Sequence, residues 1–93
     1  MPEQYIGTVT HYYDKPHVGV VRLGAEVDVA VHDGDRLHFC GRTTDFEQKI
    51  RSMEMDHHAI HEASPGSEVA IAVGHRVRPH DEVYLVTPEL SLG

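Results

Sequence analysis

Apolar residues recur at every second position through much of this chain, and short clusters of Asp, Gly, Pro and His interrupt them. Val27, Val29 and Val31 alternate with Asp28, Ala30 and His32; Leu37 and Phe39 alternate with His38 and Cys40; Val69, Ile71 and Val73 alternate with Ala70 and Ala72. A period of two places the apolar side chains on one face of an extended strand. Residues 5–13 read as a first strand of weaker alternation. It ends at Asp14-Lys15-Pro16, because proline lacks the amide that a ladder needs. Residues 18–23 form its hairpin partner, closed by Gly24.

Asp33-Gly34-Asp35 is a turn, since glycine supplies positive φ and aspartate bonds to nearby backbone. It opens the strand Arg36-Leu37-His38-Phe39-Cys40-Gly41, and Thr43-Thr44-Asp45 makes a polar connector. From 46 to 56 the pattern slips phase: Ile50 falls on one parity, Met53 and Met55 on the other. The slip predicts a bulge near Arg51-Ser52 or a strand covered on both faces, with a helix over 45–55 as the competing reading. Residues 57–66 form a loop or hairpin connection closed by Pro65-Gly66. A polar turn with Pro79 spans 75–81, a last strand spans 83–87, and 88–93 read as a tail. About six or seven short strands at this spacing predict an all-β, antiparallel fold, a small closed barrel that leaves no exposed strand edge. One domain is expected over 1–93, with the barrel over about 4–87.

Composition agrees with this picture. The chain has 93 residues, 40% hydrophobic and 25% charged, with no tryptophan, so valine, isoleucine and leucine must fill the core. The single cysteine, Cys40, has no partner within the chain. Met1-Pro2-Glu3-Gln4 carries no basic-apolar leader, and no apolar run approaches a membrane span. A cytoplasmic protein without membrane contact is expected. The formal charge is −7 with nine histidines counted as neutral. Such a field repels phosphate and disfavours general nucleic-acid binding, although a local basic face remains open. Because ordinary histidines titrate near pH ~6.5, the net charge shrinks under mild acid.

Three constellations carry candidate chemistry. His57, His58 and His61 share one short connection, where imidazoles can ligate zinc or nickel with Asp56 or Glu62 as an oxygen donor; the alternative is a solvated loop. His38 and Cys40 point the same way on one strand, but i and i+2 side chains lie roughly 6.5–7 Å apart, too far for a nucleophile and its base. Arg76 and Arg78 flank Val77, and Arg42, Lys49 and Arg51 make a second possible basic strip. These five are the candidate contacts for a protein or RNA partner, against a solvated face balanced by Glu47, Glu54 and Asp81. No serine lies in a nucleophile elbow and no carboxylate pair is set for acid–base work. A pocket is expected where the Tyr12/Tyr13 hairpin and the 57–62 loop rim one end of the barrel. The residues thus point to a binding module without a cofactor, not an enzyme.

Taken in order, Asp33-Gly34-Asp35 to Phe39, Lys49-Ile50-Arg51-Ser52-Met53-Glu54-Met55, Ala63-Ser64-Pro65-Gly66 and Val69-Ala70-Ile71 resemble the second domain of translational GTPases such as elongation factor Tu. Ile6-Gly7-Thr8-Val9 looks like the first strand of that six-stranded antiparallel barrel, and Arg78-Pro79-His80-Asp81-Glu82-Val83-Tyr84 like its close. The same barrel is the C-terminal domain of U32 peptidases and forms small stand-alone elongation-factor-like proteins, which this chain resembles most. No phosphate-binding loop of the GTPase type is present, and the barrel leaves no room for a peptidase catalytic domain. In tRNA-carrying members the hairpin after the Ser-x-x-Met strand helps hold the charged tRNA end. Here 56–62 is acidic and histidine-rich, so no tRNA-binding residue carries over. The resemblance implies a translation-factor-like module docking a protein or ribonucleoprotein. The alternatives are an accessory or substrate-binding domain of a U32-like peptidase and, third, a histidine-rich metal- or pH-responsive protein.

Overall fold

A computed structural model describes residues 2–87; the tail expected at 88–93 lies outside them. Every regular element among the described residues is a strand. They are β1 (Glu3–Tyr13), β2 (Val18–Leu23), β3 (Val31–His32), β4 (Arg36–Cys40), β5 (Asp45–Lys49), β6 (Met53–Met55), β7 (His58–Ile60), β8 (Glu62–Ala63), β9 (Glu68–Ala72) and β10 (Glu82–Val86). Eight of them form one antiparallel sheet in the order β5-β4-β10-β1-β2-β9-β6-β7, and β3 pairs with β8 in a separate ribbon.

Alternation places the core as the pattern predicts. Leu37 and Phe39 of β4, Val69 and Ile71 of β9, and Val83 of β10 are fully buried on one face. The weak alternation of β1 has a cause: its register shifts between Tyr5 and Gly7 against β10 and between Val9 and His11 against β2. Each irregularity adds a residue and changes which parity faces inward. Gly19 lies on the inner face of β2, where an added Cβ would meet Val77 Cγ2 at 2.9 Å. Its bare backbone therefore lets the 75–81 turn pack Val77 into the core.

The phase slip at 50–52 is a strand break rather than a bulge. β5 pairs with β4, whereas β6 pairs with β9 and β7. Ile50, between them, is buried and exchanges backbone hydrogen bonds with the Gly34-Asp35 turn. Residues 45–55 form no helix. Val27 and Val29 are half-buried in irregular chain, so only Val31 of that alternating run enters a strand.

The closed barrel expected from the sequence is not formed by ladders, because the strip ends at β5 and β7. The strip nevertheless bends back on itself. β5 and β9 stand five places apart in the order, about 24 Å in a flat sheet. Yet Gln48 of β5 donates from Nε2 to the Ala72 carbonyl at 2.8 Å and accepts the Gly74 amide at Oε1, also at 2.8 Å. One side-chain amide thus stands in for a peptide unit and clasps the seam. The free edge of β5 carries Asp45, Glu47 and Lys49, charges that discourage pairing with another chain.

Candidate functional site

The middle of the strip builds a groove on its outer face. Directly opposed residues in an antiparallel ladder point the same way. Registers from β1 to β6 align His11, Val20, Ala70 and Glu54 in one row, and Tyr13, Val18 and Ala72 in a second. Val18, Val20, Ala70 and Ala72 make an apolar floor of short side chains on a face that water would ordinarily claim. Two adjoining depressions of about 360 and 320 Å³ share Tyr13, Glu54, His57 and Ala70, and so form one trough.

Two turns raise its walls. At the β1–β2 end, His17 has φ 68° and its carbonyl accepts the Val73 amide at 3.0 Å, which ties the 14–17 turn to the end of β9. The Tyr12 hydroxyl and His17 Nδ1 are hydrogen-bonded at 3.1 Å. Lys15 and Pro16 are thereby held over the floor. At the β6–β7 end, Asp56 and His57 have φ 51° and 64°, the positive pair that a mirror-image hairpin turn of two residues requires. That turn lifts His57 to the rim. Tyr13 stands 53% exposed between the walls, with His11 stacked behind it at 6.3 Å. Of the pocket expected between the Tyr12/Tyr13 hairpin and the 57–62 loop, Tyr13 and His57 do line one trough, but it lies on the outer face of the sheet and not at a barrel end, and neither Tyr12 nor 58–62 lines it.

The histidine trio does not converge. His57 faces the trough, His58 opens β7, and His61 turns away to Asp33 Oδ2 at 2.6 Å. Among the described residues the donors close enough to share one ion are instead Glu3, His38 and Glu47, within 4.8 Å of one another. His38 has both ring nitrogens engaged, Nδ1 to Glu3 at 3.0 Å and Nε2 to Asp45 at 2.6 Å. The hydrogen bond to Glu3, then that to Asp45, raises its pKa, against a smaller opposing effect of burial. No hydrogen bond joins His38 to the half-buried Cys40.

The basic residues are spread out. Arg76 lies over the Tyr12 ring at 5.7 Å, while Arg78 sits in the 75–81 turn, where its backbone amide donates to Asp81 at 2.8 Å. Lys49 and Arg51 line another depression of about 560 Å³ with His75 and Glu47. Arg42 stands in the β4–β5 turn, while Lys49 pairs with Arg36 at the other end of the same hairpin. Among the described residues none of these five forms an ion pair within 4.0 Å. Of the carboxylates expected to balance them, Glu47 pairs with Arg36 at 3.7 Å, and Asp81 is buried as a cap of its own turn.

Sequence reasoning missed the groove floor. The signal was present in Glu68-Val69-Ala70-Ile71-Ala72, where the outward positions after Glu68 are alanine instead of polar.

This architecture matches known proteins over nearly its whole length. The crystal structure of the C-terminal domain of a putative U32 peptidase from Geobacillus thermoleovorans superposes with a TM-score of 0.78 at 18% identity, covering 90% of this chain and 93% of that one. The fold is that of the U32 peptidase C-terminal domain. A selenomethionine variant of the same domain gives 0.76 at 20% identity, covering 86% of this chain and 96% of that one. An uncharacterized protease of Methanocaldococcus jannaschii is 32% identical over 82 residues, 87% of this chain; the chain spans 19% of that relative's length. No family model matches. Of the two relationships expected from the sequence, these findings support the U32 peptidase one and do not carry the elongation-factor one. Among the described residues no helix is long and apolar enough to cross a membrane.

Proposed function

We propose that this chain is a non-catalytic docking module that works with a U32-like peptidase and holds a substrate or partner segment in the groove beside Tyr13. The observation that carries this reading is the alignment of 90% of the chain with a domain set at the C-terminal end of such a peptidase. The groove supports it with an apolar floor and an exposed aromatic on strands of one sheet, the rigid kind of surface that recognition favours. The engagement of both His38 nitrogens by carboxylates supports a non-catalytic role. A translation-factor-like role gains no separate observation, and carboxylates at the groove rim oppose phosphate.

Replacing the matching segment of the Methanocaldococcus protease with this chain tests the proposal. Deleting that segment is expected to raise KM for an unfolded-protein substrate with little change in kcat, the mark of lost substrate binding. Grafting this chain in its place lowers KM again, and Tyr13→Ala removes the gain. A graft that leaves KM at the deleted level rejects the proposal.

A further inference from the structure

The charge around the groove narrows what it holds. We infer that its occupant is an extended peptide segment in which an apolar side chain is flanked by lysine or arginine, an inference that rests on the docking role above. The floor comes from β2, β9 and β6, each paired on both sides. The β6–β9 ladder is short, limited to Met53–Ile71 and Glu54–Ala70, so the trough offers no long free edge for an added strand and recognition works mainly through side chains. Val18, Val20, Ala70 and Ala72 are short, which leaves the trough deep enough for an apolar side chain of the guest.

Glu54 and Asp56 line the trough on the β6–β7 side, and Glu68 lines it at the start of β9. Among the described residues none of the three forms an ion pair within 4.0 Å. The Thr10 hydroxyl donates to Glu68 at 3.2 Å, and Arg22 opposes Glu68 across the β2–β9 ladder without closing a bridge. Lys15 is the one lysine or arginine among the lining residues. Three carboxylates without an ion-pair partner around an apolar floor complement a guest that is apolar in the middle and cationic beside it. Tyr13 adds a ring face suited to the alkyl stem and charge of the same guest residue. An acidic peptide or an RNA phosphate meets like charge at Glu54 and Asp56 on the β6–β7 side and at Glu68 of β9, against Lys15 alone on the opposite side.

Fluorescence anisotropy with short labelled peptides tests this, using leucine flanked by lysine, by glutamate or by serine. The lysine peptide is expected to bind at least about tenfold tighter than the glutamate peptide at low salt, with the difference shrinking as salt is added. Glu54→Gln with Glu68→Gln should weaken it several-fold while thermal melting stays unchanged, and Tyr13→Ala should weaken all peptides. Equal or tighter binding of the glutamate peptide overturns the inference, as does displacement of the lysine peptide by a uridine oligonucleotide. The graft experiment separates the two levels. Restored KM without charge preference rejects the inference alone, whereas charge-selective binding without restored KM rejects the peptidase role alone.

Discussion

Two solvent faces of one curled sheet both carry several carboxylates and use them in opposite ways. Over β1, β10, β4 and β5, Glu3 and Asp45 close on His38, Glu47 meets Arg36, and Glu82 accepts the Tyr84 hydroxyl at 2.8 Å. That face satisfies itself. Over β2, β9 and β6, Glu54, Asp56 and Glu68 stand around an apolar floor without a bridging cation. The first arrangement ties together strands that are distant in sequence, and the second leaves its charge for something else. Net charge alone does not distinguish them, because what matters is whether each carboxylate already has a partner.

The strongest way to break this contrast is to invert the open face. Glu54→Lys with Glu68→Lys is expected to reverse the peptide preference, so that the glutamate peptide binds tighter than the lysine one. The ratio of their affinities should swing by about 100-fold or more, measured by anisotropy at low salt. Charge reversal at Glu47, on the closed face, should leave that ratio unchanged.

Gln48 is where the two faces are joined, since it belongs to β5 yet binds the end of β9. Gln48→Ala removes two hydrogen bonds at the seam and should cost about 1–3 kcal/mol in urea unfolding. Hydrogen exchange localises the effect: the Gly74 amide, which donates to the Gln48 carbonyl oxygen, should lose protection before the amides of β10. Unchanged exchange at Gly74 would mean that the strip holds its curvature without the clasp.

How much of this was legible in the sequence follows the range of the interactions. Period-two alternation placed Leu37, Phe39, Val69 and Ile71 correctly because strand burial is a local pattern. The Asp33-Gly34-Asp35 turn was readable for the same reason, with Gly34 at φ 87°. The slip at 50–52 signalled an interruption but not its nature, since a bulge and a change of partner strand look alike until the pairing is known. That a pocket could lie between the Tyr12/Tyr13 hairpin and the 57–62 loop was legible, but the meeting of Tyr13 with His57 was not, because it depends on strand order. The floor between them needed the register of β2 against β9. Spacing alone separated His38 from Cys40, two positions on along the strand, but could not name the actual partner Glu3, 35 positions away. Closure failed as an expectation because alternation reports a buried face and says nothing of whether the last strands of a strip find each other.

The closed face makes the smallest and most pH-dependent prediction. His38 is 18% exposed and its pKa lies above the ordinary value of 6.5, mainly through its bond to Glu3 and then that to Asp45. A group whose folded pKa is raised binds its proton more tightly when folded, so the protonated form stabilises the fold. That contribution is fully present below about pH 6.5 and disappears as pH rises through the higher folded value. His38→Gln should therefore cost on the order of 1 kcal/mol near pH 6, the scale of a half-exposed ion pair. Well above the folded pKa the difference between wild type and variant should contract towards the loss of neutral hydrogen bonds alone. Peptide affinity at the groove should be the same in both proteins at every pH, because the two faces share a sheet but no charge. A variant whose deficit grows with rising pH would show that His38 is held neutral by its neighbours instead of charged.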